Sequence, residues 1–310
     1  MIRNFVKEYE QKDDISTKWG EPLVGFADAN HPYILNLKEL ITQTHKLPTD
    51  VLSDASIVIA YFIPFTKELA NTNRIAGDIS SPEWALAYEE TNAMFVKLNE
   101  YIISELRKIG YHAGISPEAS TFDQKILKSN WSHRHFAKVA GLGTFGINNM
   151  LITKIGCCGR YSTIVTNLDV KPDSPLEDEF CLYKKNKSCG ICVKHCPSGA
   201  LTLDGYDRHK CYVVLRKNAE LYTEFGSSYT NKSGDHPNSV GSEVCGKCVV
   251  NTPCTFFIEN LDYNLEKLTI GTIDNLLLIM NILLWEELED TSFVQQFHLP
   301  LSTNNRSIYS

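Results

Sequence analysis

The chain has 310 residues, of which 43% are hydrophobic and 22% charged, and its formal net charge is −7. That length supports a sizeable core and two domains as the natural expectation. The composition excludes a low-complexity chain, and the acidic balance lacks the broad basic footprint of a nucleic-acid binder.

The N-terminus, MIRNFVKEYEQKDD, turns polar too early for a secretory signal. The longest apolar run, Leu276 to Trp285, is about half a membrane span and contains Asn281, so it reads as a core helix. A soluble, cytoplasmic protein with no membrane partner is the expectation.

Residues 1–50 read as short helices around a loop, with Tyr33–His45 the clearest helical stretch. Asp54–Phe65 is β-branched and aromatic, ends at a proline and reads as a buried strand. Ser81-Pro82-Glu83 has the cap, the N1 proline and the acid of a helix start, and apolar residues at helical spacing carry that helix to Ile109. Gly110 stops it. A second helix is expected over Phe122–Ala140, ending at Gly141, and YSTIVTN (161–167) is another strand. Strands interleaved with helices predict an α+β fold whose first domain, residues 1–175, is of α/β type.

KPDSPLEDE (171–179) reads as a linker, and residues 176–260 carry the cysteines. Between Gly226 and Gly241 the Ser/Gly/Asn/His composition predicts an exposed loop. Helices around Asn264–Asp290 are expected in a closing segment, 261–310, and Glu259 to Asp290 holds eight acids against one lysine.

Eight of the ten cysteines fall between Cys181 and Cys254, spaced C-x7-C-x2-C-x3-C-P, then Cys211 alone, then C-x2-C-x5-C. Eight thiols suit two four-cysteine metal centres. Disulfides are a weak alternative in a chain without a secretion signal, and C-x2-C pairs within one turn staple little. Zinc is the better rival, because C-x2-C pairs also build zinc ribbons. The run Cys189-x2-Cys192-x3-Cys196-Pro197 favours iron–sulfur, being the back half of the bacterial ferredoxin pattern, in which the last cysteine ligates the other cluster.

Carried over from that pattern, one cluster takes Cys181, Cys189, Cys192 and Cys254, and the other Cys196, Cys211, Cys245 and Cys248. The sequence departs from the pattern in its first gap of seven, its last gap of five, and Pro253 standing before Cys254 instead of after it. Cys157 and Cys158 are left over, either as buried small hydrophobes or as one pocket-lining or substitute ligand. Lys184, Lys185, Lys187 and Lys194 around the first motif are either a solvated face or a docking patch for an acidic electron donor.

Upstream, AGLGTFGINN requires close backbone approach or tight turns at Gly141, Gly143 and Gly146. With the following MLI, STIVTNL, KPD, CGICVKHCPSGAL, Cys211-Tyr212 and CGKC, it resembles the ordered motifs of the epoxyqueuosine reductase family. LPTDVLSDASIVIAYFIPF is similar to that family's first strand, so the likeness covers most of the chain.

The resemblance implies a fold shared in outline with reductive dehalogenases. A nitroreductase-like α/β domain holds base-off cobalamin, and a ferredoxin-like domain with two 4Fe–4S clusters feeds it electrons. It places Arg134, Gly141, Gly143, Gly146, Asn148 and Asn149 at the cobalamin.

The family's acidic proton donor falls in register on Leu127, with Asp123 the nearest carboxylate at one helical turn. Asp123, His133 and His135 are therefore the catalytic candidates, with Tyr88 and Tyr161 as further proton donors. His133-Arg134-His135 with Lys125, Lys128 and Lys138 is either an exposed helix face or a seat for an anion.

Long family members continue into helical repeats that hold tRNA, which this sequence does not reach. With the acidic C-terminal region this predicts a small or medium organic substrate and no nucleic-acid partner. The function expected is an oxidoreductase fed by a low-potential donor such as ferredoxin or flavodoxin. The alternatives are an electron carrier or corrinoid-reactivating protein without its own substrate, and a shortened epoxyqueuosine reductase acting on tRNA.

Overall fold

The computed structural model describes residues 1–120, 122–123, 125–227 and 241–257. The chain divides into two compact units, Met1–Glu259 and Asn260–Ser310. The first unit contains both regions that the sequence reading separates at residue 175. The predicted closing segment 261–310, its helices, the core helix at Leu276–Trp285 and most of the 226–241 loop lie outside the described residues.

The first elements are α1 (Ile2–Tyr9), β1 (Leu23–Asp28), α2 (Pro32–Leu35), α3 (Leu37–Leu40) and α4 (Pro48–Val51). There follow β2 (Ile57–Pro64), α5 (Lys67–Ile75), the long α6 (Pro82–Lys108) and β3 (Ala113–Gly114). Next come β4 (Phe122–Asp123), β5 (Lys128–Ser129), α7 (His133–Val139), β6 (Gly143–Phe145), β7 (Leu151–Thr153) and β8 (Gly159–Thr166). In the cysteine segment stand α8 (Leu182–Asn186), α9 (Ile191–Lys194) and α10 (Arg208–Leu221).

Four strands form one antiparallel sheet in the order β1-β2-β8-β3. All eight residues of β2 are buried, because both faces of the sheet are covered. Ile57, Ile59, Tyr61 and Ile63 share a core with Met94, Leu98 and Ile102 of α6. Val58, Ala60 and Phe62 point the other way, into a core with Phe136, Ala137 and Val139 of α7. The two-residue alternation of one strand thus builds two cores.

The start of α6 is as predicted: Ser81 Oγ accepts from the Trp84 amide at 3.1 Å, with Pro82 as first residue.

Two helical expectations are corrected. Tyr33–His45 is not one helix, because the chain breaks at Asn36 into α2 and α3. Phe122–Ala140 is helical only from His133. Before it runs the short β4–β5 hairpin, with Phe122 opposite Ser129, Asp123 opposite Lys128, and Leu127 at φ +53°. That left-handed backbone ends any helix through Leu127, so the one-turn relation between Asp123 and Leu127 does not exist.

The 171–179 stretch is tied down rather than free. The Asp173 amide donates to the Phe26 carbonyl, and Asp173 Oδ2 accepts from the Phe26 amide, each at 2.8 Å. These bonds occupy the outer edge of β1, which would otherwise be an open edge strand.

Candidate functional site

The glycine-rich segment folds as the β6–β7 hairpin, with Phe145 opposite Leu151 and the turn closed by Asn149 N–H to Gly146 O at 3.1 Å. Its glycines answer to the protein's own backbone. A Cβ on Gly143 would lie 2.2 Å from the Ile152 carbonyl, and Gly141, at φ +68°, would meet the Ser174 carbonyl at 2.5 Å. At Gly146 the clash would be with the Asn148 side chain. Asn149 is left-handed, at φ +62°.

This hairpin adjoins both cysteine motifs. Asn148, 4% exposed, donates its amide to the Cys248 carbonyl at 3.1 Å and accepts from the Met150 amide. Thr144 Oγ1 donates to Glu179 and accepts from the Phe180 amide at 3.1 Å. Lys184 reaches back to the Phe145 carbonyl.

All ten cysteines are free thiols. Cys181, Cys189, Cys192 and Cys254 line one cavity with Ile147, Asn148, Ile152, Phe180 and Phe257. Burial pushes the Cys192 thiol up to about 11, and the neighbouring Cys254, Cys181 and Cys189 add to it. Cys245 is likewise pushed to about 11 by burial, with Cys211 and Cys196 adding. Cys248 is raised by burial and by Cys245, Cys211, Cys192 and Cys196, so it stands where the two groups meet.

Four of the eight thiols, Cys181, Cys189, Cys192 and Cys254, therefore share one cavity, and Cys248 has Cys245, Cys211, Cys192 and Cys196 as neighbours. Among the described residues no three His, Cys, Asp or Glu side chains converge as a ready single-ion site.

Local structure explains the placement. Asp207 caps α10 by accepting from the His209 and Lys210 amides, which puts Cys211 in the first turn. The 242–250 loop is clamped to α5 and α6. Asn73 donates to the Cys245 carbonyl at 2.9 Å, Ser80 Oγ donates to the same carbonyl at 3.1 Å, and Ser242 Oγ donates to Ala85 O at 3.1 Å. Gly246, at φ +75°, leaves room for the Trp84 indole, which a Cβ would strike at 2.4 Å. Lys247, buried between two cysteines, donates to the Asn73 carbonyl.

Cys157 is the residue that spacing alone could not place. It is fully buried, and its Sγ donates to Cys254 Sγ at 3.9 Å. That bond holds the Cys254 thiol below its ordinary range. Cys158 is a buried small hydrophobe, and its amide donates to the Thr255 carbonyl at 3.3 Å.

His133 and His135 open α7, but on different partners. His133 Nδ1 lies 2.9 Å from Thr163 Oγ1, and His135 Nδ1 lies 2.6 Å from Ser132 Oγ, its ring 4.7 Å from that of Phe145. Burial, reinforced by neighbouring arginines, holds His133 down at about 4 and His135 at about 3. Burial thus favours the neutral form of both at pH 7.

Arg134 donates to the Asn149 carbonyl and to Met150 Sδ, which ties it to the hairpin turn. Asp123 sits in β4, outside α7. Tyr161 OH is spent on the Leu151 carbonyl at 2.8 Å, and Arg160 covers the Tyr88 ring at 3.9 Å. The basic residues do not form one exposed helix face, since Lys128 donates to the Ile41 carbonyl and Lys138 lies over the Tyr33 ring.

No family model matches the chain. The epoxyqueuosine reductase of Bacillus anthracis is 24% identical over 275 residues, covering 80% of this chain and 65% of that protein. The chain thus spans less than two thirds of that relative's length. Among solved structures, epoxyqueuosine reductase from Streptococcus thermophilus superposes with a TM-score of 0.47 at 16% identity, covering 84% of this chain and 66% of that one. A catabolic reductive dehalogenase gives 0.43 at 18% identity over 61% of this chain and 26% of that one.

A further epoxyqueuosine reductase, at 0.43, 18% identity, 78% of this chain and 68% of that one, was solved with an epoxyqueuosine-modified tRNA stem loop. The expectation that nucleic acid is not a partner finds no support among the relatives named epoxyqueuosine reductase. Among the described residues no helix is long and apolar enough to cross a membrane. Over four fifths of its length the chain is similar in sequence to proteins named epoxyqueuosine reductase.

Proposed function

We propose that this protein is an iron–sulfur, cobalamin-dependent reductase. The observation that carries the reading is the cavity in which Cys181, Cys189, Cys192 and Cys254 meet Ile147 and Asn148 of the hairpin. Cys181, Cys189, Cys192 and Cys254 hold one 4Fe–4S cluster in this reading, and Cys196, Cys211, Cys245 and Cys248 the other, in a ferredoxin-like arrangement. Such clusters supply single electrons at low potential. Cobalamin, when bound, supplies a strongly reducing cobalt centre.

The glycines of the hairpin are explained by internal packing, so the cobalamin assignment rests on the sequence relatives and on the hairpin's position beside both cysteine sets. Arg134 and the Asn148–Asn149 turn are the chain's contribution there: they hold the turn's shape and offer polar groups at its rim. The exposed Lys184, Lys185, Lys187 and Lys194 flank Cys189 and Cys192 and present a positive face to an acidic donor such as ferredoxin or flavodoxin. The reductase works in the cytoplasm, where such donors are available.

The test is anaerobic purification and reconstitution. About eight irons, four for each of two clusters, and one corrinoid per chain are expected, with the corrinoid read from its visible spectrum. A chain that takes up iron and rejects cobalamin overturns the reductase reading and leaves an electron carrier. Epoxyqueuosine-containing tRNA and small organic acceptors, offered in parallel to the loaded enzyme, then decide the substrate.

A further inference from the structure

We infer that Cys157 is a positioning residue for one of the two clusters: its thiol donates a hydrogen bond to the sulfur of Cys254 and thereby sets that cluster's potential. The inference rests on the proposed function, because it takes Cys254 as a cluster ligand.

Cys254 departs from the ferredoxin pattern. Five residues separate it from Cys248, and its proline precedes it. The usual Cys-Pro turn therefore cannot orient it, and a second segment does. The turn between β7 and β8 runs beside residues 254–257. The Cys157 amide donates to the Cys254 carbonyl at 2.9 Å, the Cys158 amide to Thr255 O at 3.3 Å, and the Phe257 amide to Ile155 O at 3.2 Å. Gly156, at φ +108°, admits this approach, since a Cβ there would lie 2.2 Å from the Thr255 carbonyl. Three backbone bonds thus hold Cys157 Sγ 3.9 Å from Cys254 Sγ.

Position separates this role from that of a ligand. Cys181, Cys189, Cys192 and Cys254 line the cavity, whereas Cys157 does not and stands behind Cys254, 0% exposed. A thiol is a weak donor in water, but here no water competes for the bond. When the cluster accepts an electron its sulfurs become more negative, so a donor aimed at one of them stabilises the reduced form more than the oxidised form. Hydrogen bonds to cluster sulfurs are among the determinants of their potentials. Cys157 therefore makes this cluster easier to reduce.

The experiment compares the wild-type full chain with Cys157→Ala and Cys157→Ser, reconstituted anaerobically and titrated for iron content and midpoint potentials. Both variants should keep the wild-type iron content. In Cys157→Ala one of the two clusters should shift to lower potential, its reduced-to-oxidised ratio at fixed poise falling by up to about tenfold, the ratio that ~59 mV represents for one electron. Cys157→Ser, which keeps a donor of similar size, should recover part of the shift, and Cys158→Ala should leave both potentials in place.

Loss of about half the iron in the serine variant would make Cys157 a ligand and overturn the inference. So would unchanged potentials in both Cys157 variants. A wild-type chain that takes up no iron would instead overturn the proposed function itself.

Discussion

The side-chain amide of Asn148 donates to the carbonyl of Cys248 at 3.1 Å, which joins the β6–β7 hairpin to the second cysteine motif across 100 residues of sequence. Asn148 is buried, and it is held in place because its own Oδ1 accepts from the Met150 amide.

Asn148→Ala leaves the Cys248 carbonyl without this donor, and a buried unsatisfied carbonyl costs about 1–3 kcal/mol. The variant should lose that much in denaturant unfolding and still take up both clusters. Unchanged stability would mean that the bond contributes nothing.

The proposed grouping of the cysteines into two sets of four predicts how substitutions combine. Cys189→Ala and Cys254→Ala should each remove about four of eight irons, and the double variant should lose no more than either alone. Cys189→Ala with Cys211→Ala should abolish both clusters. Iron assay with absorption spectra reads the result, and a double variant of Cys189 and Cys254 that lost all iron would refute the grouping.

Gly156 is the point at which the 155–158 turn touches the segment carrying Cys254. Gly156→Ala forces a Cβ against the Thr255 carbonyl in a left-handed backbone, which displaces Cys254. The expected outcome is loss of about four irons with the far-UV circular dichroism of the sheet retained. Full iron content would show that the turn does not position the ligand.

His45 gives a pH signature that owes nothing to the metal. It is 0% exposed, its Nε2 accepts from the Ser132 amide at 3.0 Å, and burial holds it down at about 4 against an ordinary 6.5. The unfolded chain takes up a proton near pH 6.5 that the folded chain refuses until about 4. Stability from this residue is thus complete above pH 6.5 and is lost as the pH falls towards 4.

The loss is on the order of 3 kcal/mol. His45→Gln keeps an acceptor for Ser132 and should flatten the fall of the melting temperature between pH 6.5 and 4.5 relative to wild type. Parallel curves for the two proteins would count against it.

The parts of the fold that were legible in the sequence are those governed by local rules. β2 shows as an unbroken β-branched and aromatic run because both its faces are buried, and α6 shows through its cap, its N1 proline and its apolar spacing. The hairpin at 122–129 was not legible, since Lys125, Ile126, Leu127 and Lys128 suit a helix equally well. The φ of +53° at Leu127 reverses them into two strands, and nothing in the side chains announces it. Asn36 splits a helical pattern for the same reason: side-chain preference among neighbours is weak beside the demand to pack Ile34 and Leu37 in the core.

By itself the sequence determined the cysteine count, the spacing and the order of motifs, because thiol chemistry and short loops are written locally. Only the tertiary structure decided that the glycines of the hairpin serve its own backbone and that Cys157 stands behind Cys254. Those contacts join segments far apart in the chain. Their geometry follows from how a buried sheet, a hairpin and a clamped loop pack together, which no local pattern of residues encodes.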